Sequence, residues 1–379
     1  MHNLTPEMWA SAAVLVAAYA LIFTETLHRT TAAILGAVAM IGVGMYMGFY
    51  SQEQAVFAVD ANTILLLAAM MMLVALLRPT GAFDFDLMAE AMLSNIGGAA
   101  TLVGDPPNLM IGSAGGISFN SFLLHMGLPV LVVWVTSVGL MLLLFRKQLE
   151  QTGADPKALV ATHAIKDPEG LRRILFALAV VVVLFFIHHA LHVLPAYASF
   201  IGLTLALLLM RPDMEKLFSS VNWSVLFFFS ALFMIVGGVE ASGLLELLGH
   251  ELAKLAKDPD KLLMTGLLLM WVAAILSAVV DNIPFTVTMI PIILGLESSG
   301  VNIAPLWWAL ALGVGLGGNG THIGATANII AVSESEKSGM LEAKITPLLW
   351  LRTGLPVMLV GLLAASLAYW LLFALFLTA

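Results

Sequence analysis

The sequence predicts an all-α, polytopic membrane protein of two inverted repeats with broken helices, in about ten or eleven hydrophobic segments. Three observations predict it. The first is composition: of 379 residues 60% are hydrophobic and 11% charged, with a mean hydropathy of +1.00, whereas a soluble domain carries roughly 25% charged residues. The second is a succession of apolar runs, most of them near the ~20 residues that cross a bilayer as a helix. The third is an internal duplication whose flanking charges reverse between the copies. No polar stretch is long enough for a separate soluble domain. The absence of Cys excludes disulfides, iron–sulfur clusters and thiolate zinc sites. Sixteen Lys and Arg against 24 Asp and Glu give a net charge of −8 without a basic tract, which argues against a nucleic-acid partner.

The elements follow in order. The opening MHNLTPEMW has no Lys or Arg, so it lacks the basic n-region of a cleavable signal and Met8–Phe23 reads as the first span. Further apolar runs cover Thr30–Phe49, Thr63–Leu77, Phe122–Phe145, Ile174–Leu194, Ala196–Met210, Ser224–Val239, Leu262–Val280, Pro284–Leu296, Pro305–Leu316 and Pro347–Leu377. Each is expected to be helical, because lipid leaves no other way to satisfy the backbone within a segment. Leu244–Leu255 is shorter and mixes Glu246, His250, Glu251 and Lys254 among leucines, the pattern of an interfacial helix.

Two pairs of segments repeat. The run from Asn62 resembles the run from Ser224, pairing Met72 with Met234 and Gly81 with Gly243. GGAATLVGDPPN from Gly97 resembles GGNGTHIGATAN from Gly317, pairing Thr101 with Thr321, Gly104 with Gly324 and Asn108 with Asn328. Arg29 and Arg78 bracket the second and third spans, and the loop between those spans offers only Glu53 and Asp60. In the second copy the basic residues, Arg211 and Lys216, sit between the matching spans instead. By the positive-inside rule the two copies lie upside down relative to each other. This divides the chain into a first repeat over 1–145, a cytoplasmic linker over 146–172 and a second repeat over 173–379. The copies are unequal: Gly81 to Gly97 is 16 positions, whereas Gly243 to Gly317 is 74. The first repeat is therefore short by 58 residues near Phe85–Asp86, and nothing in it corresponds to Asp281–Asn282.

Asp281 is the one acid well inside a long apolar run, and an acid near the bilayer centre costs ~2.5–3.5 kcal/mol on insertion scales. An unused carboxylate would not be expected to carry that cost, so Asp281 is a candidate for pairing with a cation. Pro284 removes a backbone donor nearby and disturbs the helix. The two glycine motifs are the other candidates. Their glycines admit close backbone approach, Pro106–Pro107 prevents a regular helix from continuing through the first motif, and broken helices at membrane depth persist where they line a cavity. Asn95, Gly97, Gly98, Thr101, Gly104, Asp105 and Asn108 supply the first half of this candidate site. Asp281, Asn282, Pro284, Gly317, Gly318, Asn319, Thr321, His322, Gly324, Thr326 and Asn328 supply the second. His322 offers a neutral imidazole that could relay protons. Neither motif has the Lys-[Ser/Thr] of a phosphate-cradling loop. His188, His189 and His192 end a span at the interface without a nearby carboxylate, and no H-E-x-x-H pattern supports an intramembrane metalloenzyme.

SNIGGAATLVGDPPNLMIG, DNIPFTVTMIPII and GGNGTHIGATANIIAVS resemble the signature segments of the arsenite permease and sodium/proton antiporter family. That family lies in the ion transporter superfamily beside citrate–metal carriers, dicarboxylate carriers and the melanosomal P protein. The resemblance covers nearly the whole chain. It implies a multi-pass secondary transporter of the cell membrane, with re-entrant or broken helices, that moves a small inorganic or organic anion or a metalloid oxyanion such as arsenite. It further implies coupling to H+ or Na+ with no other cofactor, no bound structural metal, elevator-like or rocking motion, assembly as a homodimer, and a cytosolic ATPase partner for an arsenite pump. Asn95–Asn108 and Gly317–Asn328 would form the cradle, with Asp281–Asn282 opposite. The chain departs from the family in lacking a second Asp-Asn segment between Phe85 and Asp86. The first motif is therefore expected to lack a wall that Asp281–Asn282 gives the second.

Overall fold

Prolines and acids set where the helices start. Asp167 caps the helix that begins at Pro168 by accepting from the Gly170 amide at 2.9 Å, and Asp213 caps the one beginning at Met214. Pro6, Pro106, Pro168, Pro195, Pro259 and Pro347 each open a helix, where the missing amide costs nothing. This is why Pro168–Ile187 begins six residues before the apolar run that predicts it: its first turn, PEGLRR, is polar but helical. The computed structural model describes residues 4–23, 27–80, 88–146, 165–188, 190–245, 247, 259–279, 282–298, 300–322, 324–325, 327–328 and 345–378.

The helices are α1 (Pro6–Phe23), α2 (Arg29–Met47), α3 (Gln52–Phe57), α4 (Ala61–Leu77), α5 (Met88–Gly98), α6 (Pro106–Ala114), α7 (Phe119–Leu144), α8 (Pro168–Ile187), α9 (Pro195–Met210), α10 (Met214–Ser220), α11 (Trp223–Ala241), α12 (Pro259–Val279), α13 (Asn282–Ser298), α14 (Ala304–Gly317), α15 (Pro347–Leu371) and α16 (Phe373–Phe376). Among the described residues six are long and apolar enough to cross a membrane: α2, α7, α8, α11, Lys261–Ala278 of α12 and Leu348–Leu371 of α15. Four shorter apolar stretches, in α1, α4, α9 and α13, accompany them. The interfacial helix expected over 244–255 lies almost entirely outside the described residues.

The chain forms two compact units. One comprises 61–87 and 140–226. In it α8 and α9 cross where Gly202 meets Val181 and the Ala177 carbonyl, and the Asn62 side chain of α4 accepts from the Ala196 amide at the start of α9, at 3.1 Å. His188 turns back on Val193, and His192 takes a positive φ of 54°. These two form no ligand set; His189 lies outside the described residues.

The other unit comprises 1–60, 88–139 and 227–379 and holds both glycine motifs. Its centre is α14, every residue of which is buried, including Trp307 and Trp308. A helix buried all round needs small residues to be approached closely. Gly313 meets Met270 and Ala273, and Gly317 meets Ala274 and Ser277, so α12 and α14 run side by side in the same direction. Helices α2 and α11 also run in parallel: Arg29 stands over the Phe228 ring at 5.7 Å, Gly36 meets Ile235 and Gly238 meets Met40. The segment leading into α4 packs on the other end of α11, with Tyr50 Oη donating to the Met234 carbonyl at 3.0 Å and Ala58 against Gly237.

Candidate functional site

Each glycine motif is a helix end, a tight turn and a new helix start. In the first, α5 stops at Gly98, and the Gly104 amide donates to the Thr101 carbonyl at 3.2 Å. Helix α6 then starts at Pro106, with Asp105 as its flanking residue. In the second, α14 stops at Gly317, and the Gly324 amide donates to the Thr321 carbonyl at 3.2 Å. Both turns close on themselves: a Cβ on Gly104 would collide with the Gly98 carbonyl, and one on Gly324 would lie 2.7 Å from the Gly318 carbonyl. Only glycine admits that approach.

A buried asparagine staples each turn. Asn108 Nδ2 donates to the Gly98 and Thr101 carbonyls, at 3.0 Å each. Asn328 Nδ2 donates to the Gly318 and Thr321 carbonyls, at 2.7 and 2.9 Å. Both asparagines are fully buried. A constant offset of 220 positions relates every atom pair in the two staples, so the duplication seen in the sequence is a duplication of geometry.

The two halves meet through Asn95. Its Nδ2 donates to Asn319 Oδ1 at 2.9 Å and to Asn328 Oδ1 at 2.8 Å. Asn319 Nδ2 donates in turn to the Met92 carbonyl, at 3.2 Å, and its own carbonyl accepts from Trp350 Nε1 at 3.1 Å. The amide orientations are fixed by their partners, since a backbone carbonyl can only accept.

Asn282, at the start of α13, reaches the first motif. Asn282 Nδ2 donates to Asp105 Oδ2 at 2.9 Å, while Thr321 Oγ1 donates to the Ala278 carbonyl at the end of α12. The first motif, which has no arm of its own, thus meets a neighbouring helix, α13, through Asp105. Asp105 makes no cap bond to its own helix, and its carboxylate turns to the α13 amide instead. Pro106 and Pro107 begin α6, and Pro284 lies in the first turn of α13, where a missing donor is tolerated.

Not every expected residue joins this network. Gly97 has open space where a Cβ would be, and Gly317 serves the contact with α12. His322 is half-buried and takes no hydrogen bond among the described residues. Asp281 and Thr326 lie outside them. Three participants were not anticipated: Trp350, and the small pair Ala99 and Gly315, which touch where Asn319 and Asn95 touch in the other half. The offset of 220 names that pair, but two small residues carry no signal alone. Among the described residues no group of three or more His, Asp or Glu could hold a metal ion.

Beside the first motif lies a cavity of about 250 Å³, lined by Met110 and Ser113 of α6, Ile290 of α13, Phe233 and Glu240 of α11, and Asp60. Burial, and next to it the negative charge of Glu240, push the phenol of Tyr50 up to about 12.

The network of side-chain amides thus joins the two glycine motifs in a chain with six helices, among the described residues, long and apolar enough to cross a membrane. The profile of the citrate transporter family matches residues 19–85 and 87–313, breaking at Asp86. An uncharacterized transporter of Mycobacterium tuberculosis is 31% identical over 96% of this chain and 98% of its own length. A 46 kDa membrane protein of Mycobacterium leprae is 31% identical over 94% and 97%. The P protein of Mus musculus is 28% identical over 94% of this chain and 59% of its own. The alignment to the first extends over 435 positions, of which 96% of 379 residues fills about 364, so about 70 positions have no counterpart here. With the first motif and the α12–α13 region inside the match, which spans well over half of the chain, the chain belongs to the citrate transporter family and is an integral, multi-pass membrane protein.

Proposed function

We propose that the chain is a cation-coupled secondary transporter of a small carboxylate or oxyanion, with the amide network around Asn95, Asn108, Asn282, Asn319 and Asn328 as its substrate and ion cradle. The observation that carries this reading is the charge of the cradle. Its hydrogen-bonding side chains are neutral except for Asp105, and no Lys or Arg is bonded into it among the described residues. A multivalent anion at membrane depth needs compensating charge, so its negative charge must be neutralised by cations that travel with it, whether protons, sodium or a complexed metal. The name of the matching family supports citrate as the first substrate to test.

The test is uptake of radiolabelled citrate into proteoliposomes containing the purified chain, under an imposed proton or sodium gradient, with and without magnesium. Gradient-driven accumulation supports the reading. Accumulation that ignores both gradients and the metal counts against it. Arsenite efflux and sodium/proton exchange, assayed in the same vesicles, are the competing activities.

A second reading has its own observation. The family profile breaks at Asp86, where the repeat arithmetic places a missing stretch of 58 positions. On that reading the chain is a short form that inserts but carries substrate slowly.

A further inference from the structure

The two asparagine staples donate the same pair of bonds and differ in what their side-chain oxygens accept. In the second motif, Asn328 Oδ1 accepts from Asn95 Nδ2. The same atom in the first motif, Asn108 Oδ1, is buried and has no hydrogen-bond partner among the described residues. Its side chain cannot be reversed to cure this, because Nδ2 already donates to two carbonyls. The cause is the residue that the offset of 220 puts opposite: the mate of Asn95 is Gly315. There is no room for an amide at Gly315 either. A Cβ there would lie 2.9 Å from the Ala99 Cβ, and Ala99 is the mate of Asn319. One half therefore holds a donor, Asn95, between two acceptors, and the other half has two small residues in van der Waals contact and an acceptor left over. A buried carbonyl oxygen without a partner is rare in native proteins and is explained by a bound water, ion or ligand group.

We infer that the paired motifs are a one-sided site: Asn95 permanently occupies, in the second motif, the position that an electropositive partner takes in the first. One such partner binds per chain, at the Asn108 carbonyl oxygen. Its chemistry is that of a desolvated monovalent cation or the hydroxyl of a carboxylate substrate, since both satisfy a neutral acceptor. Asp105, three residues earlier and the one carboxylate bonded into the cradle among the described residues, favours the cation. The inference rests on the transport reading for its purpose. Its test is binding, so a chain that binds without transporting would sink that reading and leave this one standing.

The experiment counts bound ligand per purified full-length chain in detergent, with radiolabelled sodium against choline and no anionic substrate, and separately with radiolabelled citrate in choline buffer. One equivalent of either probe supports the inference, and the arm in which it appears names the source. No binding in both arms, or two equivalents of one probe in either arm, overturns it. Asn95→Ala should raise the count from one to two by freeing Asn328 Oδ1, and an intact variant still binding one overturns the assignment of Asn95. Should that variant not purify as a monodisperse protein, Asn108→Ala decides: its count should fall to zero, and a retained equivalent overturns the site.

Discussion

Asn108 and Asn328 are equivalent in the sequence, yet their removal should have unequal effects on stability. Asn328→Ala deletes three hydrogen bonds, two donated to the Gly318 and Thr321 carbonyls and one accepted from Asn95. Asn108→Ala deletes two, to Gly98 and Thr101, and also removes an oxygen that has no partner. A buried hydrogen bond contributes about 0.5–1.5 kcal/mol net, and an unsatisfied buried polar atom costs about 1–3 kcal/mol. The donated pairs cancel between the two variants. What remains is one bond lost in Asn328→Ala and one penalty relieved in Asn108→Ala, so the first should be more destabilised than the second by about 1.5–4.5 kcal/mol. The assay is equilibrium unfolding of the purified chain in mixed micelles, in choline buffer free of sodium and citrate, so that no ligand stabilises the folded state of either protein. Equal losses, or a larger loss in Asn108→Ala, would refute the asymmetry from which the one-sided site is argued.

Further outcomes are expected. Gly317→Ala puts a methyl group into the backbone of α12 at Ala274 and should abolish accumulation of folded protein, whereas Gly97→Ala, with open space around it, should keep its melting temperature within a few degrees; both are read by fluorescence-detected size exclusion with heating. The raised Tyr50 phenol stabilises the fold in its neutral form. That contribution is complete below the ordinary tyrosine value of about 10 and is lost as pH rises through about 12; Tyr50→Phe should flatten the alkaline limb of stability against pH, and an unchanged limb counts against Tyr50 as its source. Asp281→Asn should abolish gradient-driven uptake while the protein still inserts, and wild-type uptake with intact pH dependence would remove Asp281 from the coupling machinery. Inserting the corresponding segment of a longer relative between Phe85 and Asp86 should raise citrate flux in proteoliposomes, and robust uptake by the 379-residue chain that the insertion does not improve would count against the short-form reading.

Much of this was legible in the sequence because the bilayer removes alternatives. Apolar runs had to be helices, and their centres were placed well; their starts were not, since hydropathy is blind to a polar first turn such as Pro168–Arg173. The glycine skeleton located both staples, because a turn that closes on its own carbonyl tolerates no other residue at Gly104 or Gly324. The partners of Asn95 were beyond reach. An amide's neighbours are decided by tertiary approach, and the residues that make the halves unequal, Ala99 and Gly315, are informative only once the offset of 220 is applied to them. The histidines at the end of α8 drew attention as a cluster, yet the backbone turns His188 back onto the Val193 carbonyl, which is an ordinary way to satisfy a ring at a helix end.

The short first repeat and the intact site are compatible for a reason visible at Asp105. In the second repeat, the stretch that the first one lacks ends in α13, and Asn282 from it bonds not to its own motif but to Asp105 of the other. By the same exchange, a first-repeat arm would reach the mate of Asp105 in the second motif, which is Ala325. Alanine offers no side-chain acceptor, so the missing arm leaves no polar side chain unsatisfied at that position. The loss is therefore cheap for folding, and the carboxylate that the present arm does serve is retained. On the proposed transport reading, what the arm would have supplied is a second wall to the site, so its absence should lower turnover rather than binding. Binding and flux should thus separate in this chain: one ligand equivalent per protein with slow uptake is the combination that the geometry of Asn108, Asn282 and Ala325 requires.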